Sequence, residues 1–306
     1  MNINVKSKLG RVSLNNPVLV AAGTFGFGEE YTALINLNKL GGIITKTVTL
    51  EPRKGNPPPR LTETPAGLLN AIGLENPGMD VFLKQKLPFL SQFEAALIVN
   101  IAGEKEEDYL TLAERLNEKE KIDALEINIS CPNVKEKGLI FGTDPGRTFL
   151  LVKKLREVTN IPLIIKLTPN VTDISEIAQA AQEAGAEALS LINTILGMSI
   201  DVETRRPKLG NITGGLSGPA IRPIAVRMVR ETFQKVSLPI IGMGGITCSE
   251  DALEFILAGA SAVAVGTANF IDPSTALRIV EGIKEYMQRK GIENFEDLIG
   301  WLENSV

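Results

Sequence analysis

The chain contains no histidine. This removes imidazole acid–base chemistry, His-based triads and histidine metal ligation, so any general base has to be Cys, Lys, Asp, Glu or Tyr. Cysteine is nearly missing too. Cys131 and Cys248 are the two in 306 residues, which makes no disulfide framework and points to free thiols in a reducing compartment. Long apolar runs are absent: stretches such as Ala95 to Val99 or Ile161 to Ile165 are far too short to cross a bilayer. The opening MNINVKSKLG has no apolar signal-peptide core, so a cytoplasmic location is expected. With 36 acidic against 32 basic residues the net charge is -4, which offers no cationic face to nucleic acid or anionic membrane. No metal site is expected. No flexible linker or low-complexity tract divides the chain, and no G-x-G-x-x-G turn follows the first strand.

What is present is alternation. Short β-branched runs alternate with longer amphipathic segments, the pattern of parallel strands covered by helices. Eight strands are expected, at Val18 to Ala22, Gly42 to Lys46, Ala96 to Ile101, Ala124 to Ile129, Leu163 to Leu167, Ala188 to Asn193, Pro239 to Met243 and Ala262 to Gly266. Helices are expected at Asp80 to Leu90, Glu106 to Asn117, Gly146 to Val158, Ile174 to Ala184, Ala220 to Gln234, Glu250 to Ala258 and Ser274 to Arg289. Together they predict an α/β fold, a single (β/α)8 TIM-barrel domain over residues 1–306. Its insertions, Thr47 to Gly78 and Ser130 to Asp144, follow strands and so fall on the C-terminal face, where barrel active sites are built. The charged run Glu104 to Asp108 and the cluster Glu118 to Lys121 read as solvated helix faces, and Trp301 as a packing residue at the barrel edge.

Several residue groups on that face can carry chemistry. Gly244-Gly245 and Gly266-Thr267 end the last two strands, where glycines let backbone amides approach a phosphate and a helix N-terminus adds partial positive charge. Lys46 and Lys166 each follow an apolar strand, so their ammonium groups point into the barrel mouth and need an anion or an electron-rich ring. Of Asn70, Asn100, Asn128, Asn133 and Asn193, three lie at or next to strand ends although asparagine is a poor strand residue. As a set they suit a planar ligand with alternating N–H and C=O groups. Cys131 begins the loop after the fourth strand, between Asn128 and Asn133 and next to Pro132, and nearby lysines would ease loss of its proton. Cys248, at the start of a helix, reads as a packing residue.

These motifs resemble the class 1 dihydroorotate dehydrogenases over essentially the whole chain, and more closely the NAD-linked type 1B catalytic subunit. The resemblance is carried by TKTVTLEPRKGNPPPRLTETPAGLLNAIGLENPG from Thr45 to Gly78, NISCPNVK from Asn128 to Lys135 and INTILGM from Ile192 to Met198. LTPN after Lys166, GGLSGPAI from Gly214 to Ile221, GMGGI and VGTA add to it. It departs at Lys137-Gly138, where the family pattern has Gly-Gly. The resemblance implies FMN over the barrel mouth, its phosphate in the cup of Gly244, Gly245, Gly266 and Thr267, with Gly218 and Ile192 lining it. Ala22, Gly23, Lys46, Thr47, Asn100, Asn128 and Lys166 would contact the rest of the cofactor, Lys166 offsetting negative charge on the reduced ring. Substrate contacts would come from Lys46, Asn70, Ala71, Ile72, Gly73, Leu74, Asn128, Asn133, Asn193 and Thr194. Cys131 would be the base that takes the proton from carbon five of dihydroorotate while hydride leaves carbon six, giving orotate for pyrimidine synthesis.

The resemblance also implies a homodimer within a heterotetramer, with FAD and a 2Fe-2S cluster on an electron-transfer subunit that passes electrons to NAD. Two cysteines cannot hold a four-thiolate cluster on this chain. Two rivals share much of the pattern. One is the fumarate-linked type 1A enzyme, which needs no partner, although Glu63-Thr64-Pro65-Ala66-Gly67 resembles type 1B. The other is a non-redox barrel that binds a phosphorylated ligand.

Overall fold

Side chains on successive strand residues face opposite ways, and here both faces are apolar. Residues such as Leu19, Ile98, Ala124, Ile164 and Ile241 form one buried cluster, while Val18, Val99, Leu125, Ile165 and Ile240 belong to another that includes the helices. A sheet covered on both faces in this way is parallel. In a computed structural model describing residues 3–130 and 141–303, eight parallel strands close into a barrel in chain order. They are β1 (Val18–Val20), β2 (Gly42–Ile44), β3 (Ala96–Ile101), β4 (Ala124–Asn128), β5 (Leu163–Lys166), β6 (Ala188–Leu191), β7 (Ile240–Met243) and β8 (Ala262–Val265). Every expected strand is present, but most end one or two residues earlier than expected. Ala22, Lys46, Ile192 and Gly266 therefore sit just past the sheet, where the chain turns across the barrel mouth.

The helices cover the outside. Glu106–Asn117, Pro145–Val158, Ile174–Glu183, Arg222–Phe233, Ser249–Ala258 and Thr275–Lys290 stand between or after the strands, as the periodicity predicts. Between β2 and β3 the chain is helical from Met79 to Leu90, widening to π-type bonding over Phe82–Lys86. Pro88, which cannot donate a main-chain hydrogen bond, follows that turn. The charged run Glu104 to Asp108 is more than a solvated face. Asp108, in the first turn of Glu106–Asn117, accepts from the Glu104 and Lys105 amides and so caps that helix.

Three additions were not expected. A hairpin of Ser7–Leu9 and Val12–Leu14 places Leu9, Val12 and Leu14 in the same cluster as the barrel interior and closes its N-terminal end. At the opposite end four antiparallel strands form a small sheet in the order Ile195–Met198, Thr213–Ser217, Gly67–Asn70, Leu61–Thr64. Ile200–Asp201 pairs with Arg206–Pro207 beside it. Trp301, expected to pack at the barrel edge, is instead about half exposed, and nearby Phe295 and Leu298 are the buried residues. Among the described residues no helix is long and apolar enough to cross a membrane.

Candidate functional site

A cavity of about 610 Å³ lies between the barrel mouth and the small sheet, within the range of small-molecule sites. Residues after every barrel strand except β3 line it, and Leu68, Asn70, Thr213, Gly214, Gly215 and Ser217 come from the sheet. The sheet reaches the mouth because the chain is stripped of side chains where strands approach. A Cβ at Gly215 would sit 2.0 Å from Thr194 Oγ1, and one at Gly214 would lie 2.6 Å from the Asn70 carbonyl.

Gly244, Gly245, Gly266 and Thr267 all line the cavity. Gly244 and Gly245 follow β7 with φ of 130° and 76°. A Cβ on Gly245 would come within 2.7 Å of the Gly218 carbonyl oxygen, so only glycine fits there. Across from them, Thr267 Oγ1 donates to Ser217 Oγ at 2.8 Å. Cβ atoms at Gly266 and Gly23 would meet nothing closer than 3.8 Å, so both open onto free space. Among the described residues no hydrogen-bond acceptor meets the amides of Gly244 and Gly245, which leaves them for an anion. The neighbouring helix contributes less than expected. At its start, Ser249, Asp251 already occupies the amides of the preceding Thr247 and Cys248.

The cations come from β2 and β5, on either side. Lys46 lines the cavity and has no ion-pair partner among the described residues. Lys166 is buried to 5% exposure at the end of β5 and pairs with Glu126 at 3.3 Å. Ala22, Thr47 and Ile192 also line the cavity.

The asparagines converge from three directions. Asn128 Oδ1 accepts from the Ser130 amide at 3.3 Å and from Asn193 Nδ2 at 3.5 Å. Asn193 Oδ1 accepts from the Thr194 amide at 2.8 Å. Asn70 donates to the Gly215 carbonyl at 3.2 Å, which ties the sheet to the segment Asn70 through Leu74. That segment lines the cavity with Ala71, Ile72 and Gly73, and Gly73 has to be glycine, since its φ is 76° and a Cβ would strike Asn56 at 2.7 Å. Behind it, buried Asn76 satisfies its whole amide group, donating to Thr49 Oγ1 and the Leu74 carbonyl and accepting from the Thr49 and Gly78 amides. Asn76 is a positioning residue that the sequence reading passed over.

Asn100 departs from expectation. It is fully buried on β3, does not line the cavity, and gives its amide hydrogen to Glu126. Because a carboxylate only accepts, that contact fixes which end of the Asn100 amide is which. Its oxygen is left buried without a partner, an open acceptor beside the site. Glu126 is the more important omission, since it binds Asn100, Lys166 and Ser190 at once.

Cys131 and Asn133 lie outside the described residues, as does Lys137-Gly138. Ser130, immediately before Cys131, is anchored by donating to the Lys166 carbonyl at 3.1 Å, and it lines the cavity. The second cysteine, Cys248, caps the start of Ser249–Ala258 outside the cavity. Desolvation and then the Glu250 carboxylate push its thiol above the ordinary range, so it is a poor base or nucleophile near neutral pH.

Residues 4–287 match the dihydroorotate dehydrogenase family. The chain belongs to that family. It is 55% identical over 300 residues to the protein named dihydroorotate dehydrogenase B (NAD(+)), catalytic subunit, of Desulforudis audaxviator, covering 98% of both chains. A protein of the same name from Geotalea uraniireducens is 54% identical, covering 95% of each chain. Among solved structures, that of the Eimeria tenella enzyme in complex with ferulenol superposes with a TM-score of 0.83 at 26% identity, covering 97% of this chain and 88% of that one. The family fold is the barrel described above, and relatives carrying the type B name extend over nearly its whole length.

Proposed function

We propose that this chain is the catalytic subunit of an NAD-linked dihydroorotate dehydrogenase, a cytoplasmic FMN enzyme that oxidises dihydroorotate to orotate. The observation that carries the reading is one cavity that combines three features: a glycine cup with free amides, a buried lysine, and an asparagine cluster with complementary donors and acceptors. The residues fit FMN. Gly244, Gly245, Gly266 and Thr267 would take the phosphate. Lys46, Lys166, Asn128 and the unpaired Asn100 oxygen supply cation, donors and acceptor for a ring with alternating polar edges. FMN bound there supplies a hydride acceptor.

The chain's own residues do the rest. Asn70, Asn128 and Asn193, with the segment Ala71 to Leu74 and Thr194, hold dihydroorotate by amide-to-amide bonds, and Lys46 meets its carboxylate. Cys131 removes the proton from carbon five as the C6–H bond gives up its hydride. The two electrons of the broken C5–H bond become the new C5=C6 double bond of orotate. The absence of histidine leaves a thiolate as the base suited to neutral pH. The sheet of Gly67–Asn70 and Thr213–Ser217 covers the site, which limits access of water to the reacting centre.

The type B relatives are named as catalytic subunits, and that naming supports a second subunit here. It would carry FAD and a 2Fe-2S cluster, and pair with a homodimer of this chain. Acceptor specificity tests the assignment. Material purified with its partner should reduce NAD with dihydroorotate, and the isolated chain should keep FMN but lose NAD reduction. Fumarate turnover by the isolated chain as fast as with any other acceptor would point to the type 1A enzyme instead.

A further inference from the structure

Glu126 lies wholly buried inside the barrel, on β4 two residues before Asn128. Its carboxylate receives Lys166 Nζ at 3.3 Å, Ser190 Oγ at 2.7 Å and the Asn100 amide. All three partners donate, which matches an ionised carboxylate, a group that only accepts. Strand register brings them together: Asn100 on β3 stands opposite Glu126, and Lys166 on β5 stands beside Ser190 on β6. Barrel interiors are normally filled with branched apolar side chains. A buried ion pair there is weak evidence for stability, because desolvation offsets much of the Coulomb gain. Its consequence therefore falls on the cavity.

One of the three donors reaches the site directly. Lys166 lines the cavity, and Asn100 presents a buried, unpaired oxygen while its nitrogen is held by Glu126. We propose that Glu126 is a positioning residue that fixes Lys166 and Asn100 and offsets part of the lysine charge, so that a ligand over Lys166 meets a restrained positive field. The inference rests on the FMN reading above. Two-electron reduction of a flavin adds negative charge to its ring system unless a proton follows. A lone buried lysine favours the reduced state, and Glu126 opposes it through the same pair. Glu126 thus sets the potential of the bound cofactor lower than Lys166 alone would, without touching it.

The test is the midpoint potential of bound FMN, together with its dissociation constant, in wild-type, Glu126→Gln and Glu126→Asp holoenzyme. Glu126→Gln keeps the size and removes the charge. Its potential should rise by at least the equivalent of a tenfold change in the reduced-to-oxidised ratio, about 30 mV for a two-electron couple. Glu126→Asp, which keeps the charge but draws it back from Lys166, should rise by less and retain FMN. It serves as the measurement if Glu126→Gln does not fold. A purely packing role would lower the melting temperature and leave both potentials at the wild-type value, and that result overturns the proposal alone. A wild-type chain that takes up no FMN overturns the functional reading, and this inference with it.

Discussion

At the scale of single residues the chemistry depends on positions whose alternatives are sterically or electrostatically closed. Gly245 is one: its φ of 76° and the 2.7 Å approach of a Cβ to the Gly218 carbonyl leave no room for a side chain. Gly245→Ala should weaken FMN binding tenfold or more while the barrel still folds, measured by flavin fluorescence titration and circular dichroism. Full FMN affinity in that variant would remove the cup from its role. The two cysteines separate in the same way. Cys131→Ser should keep FMN and orotate binding but slow flavin reduction at neutral pH by about 10²–10⁴-fold, the usual contribution of a general base. Cys248→Ser should stay within about twofold of wild type, because that thiol is held protonated outside the cavity. Equal losses in both variants, measured by stopped flow, would contradict the assignment of the base.

Glu126 shows why residue-level reading fell short. A glutamate within the apolar strand sequence ALEIN is anomalous, since a buried carboxylate needs partners. That anomaly is visible in the sequence. Its partners are not, because Asn100, Lys166 and Ser190 come from three other strands and meet it only after the barrel closes. Lys46 and Lys166 were legible because each ends a strand whose apolar character leaves its ammonium nowhere else to go.

At the scale of elements, strands and helices were legible and the sheet over the mouth was not. Helices such as Glu106–Asn117 have local periodicity and local caps. The strands of the small sheet are short and half-exposed, and its central pairing, Gly67–Asn70 with Thr213–Ser217, spans a long sequence separation, with Gly214 and Gly215 carrying no pattern that marks a strand. Their insertion reads as a Pro- and Gly-rich loop. Asn76 holds that insertion together through four hydrogen bonds. Asn76→Ala should cost about 1–3 kcal/mol for the buried groups left unpaired and raise KM for dihydroorotate more than it lowers kcat. Denaturant melts and steady-state kinetics check both, and an unchanged KM would show that the Asn70 to Leu74 segment holds its place without it.

At the scale of the whole molecule, the N-terminal end of the barrel carries its own electrostatic tie. Arg11, in the turn of the closing hairpin, binds Glu187 at 2.6 Å, and Arg156 reaches the same carboxylate at 3.1 Å. The hydrogen bond from Arg11 leads in holding Glu187 below the usual carboxylate range, against the opposing effect of burial. A depressed folded-state pKa contributes stability above the unfolded value, near 4.3, and loses it as pH falls through the folded value. Glu187→Gln should therefore lower the melting temperature at pH 7 and match wild type once pH is below the folded value. A constant difference across the whole range would show that the residue acts through packing. The opposite end of the barrel, capped by the small sheet, holds the chemistry.

Anaerobic mixing of the purified chain with dihydroorotate, following flavin absorbance and orotate together, tests the central claim most directly. The flavin should bleach in a single turnover, with one orotate formed per FMN reduced. A chain that holds FMN but is not reduced by dihydroorotate, or that forms no orotate as the flavin bleaches, would contradict it.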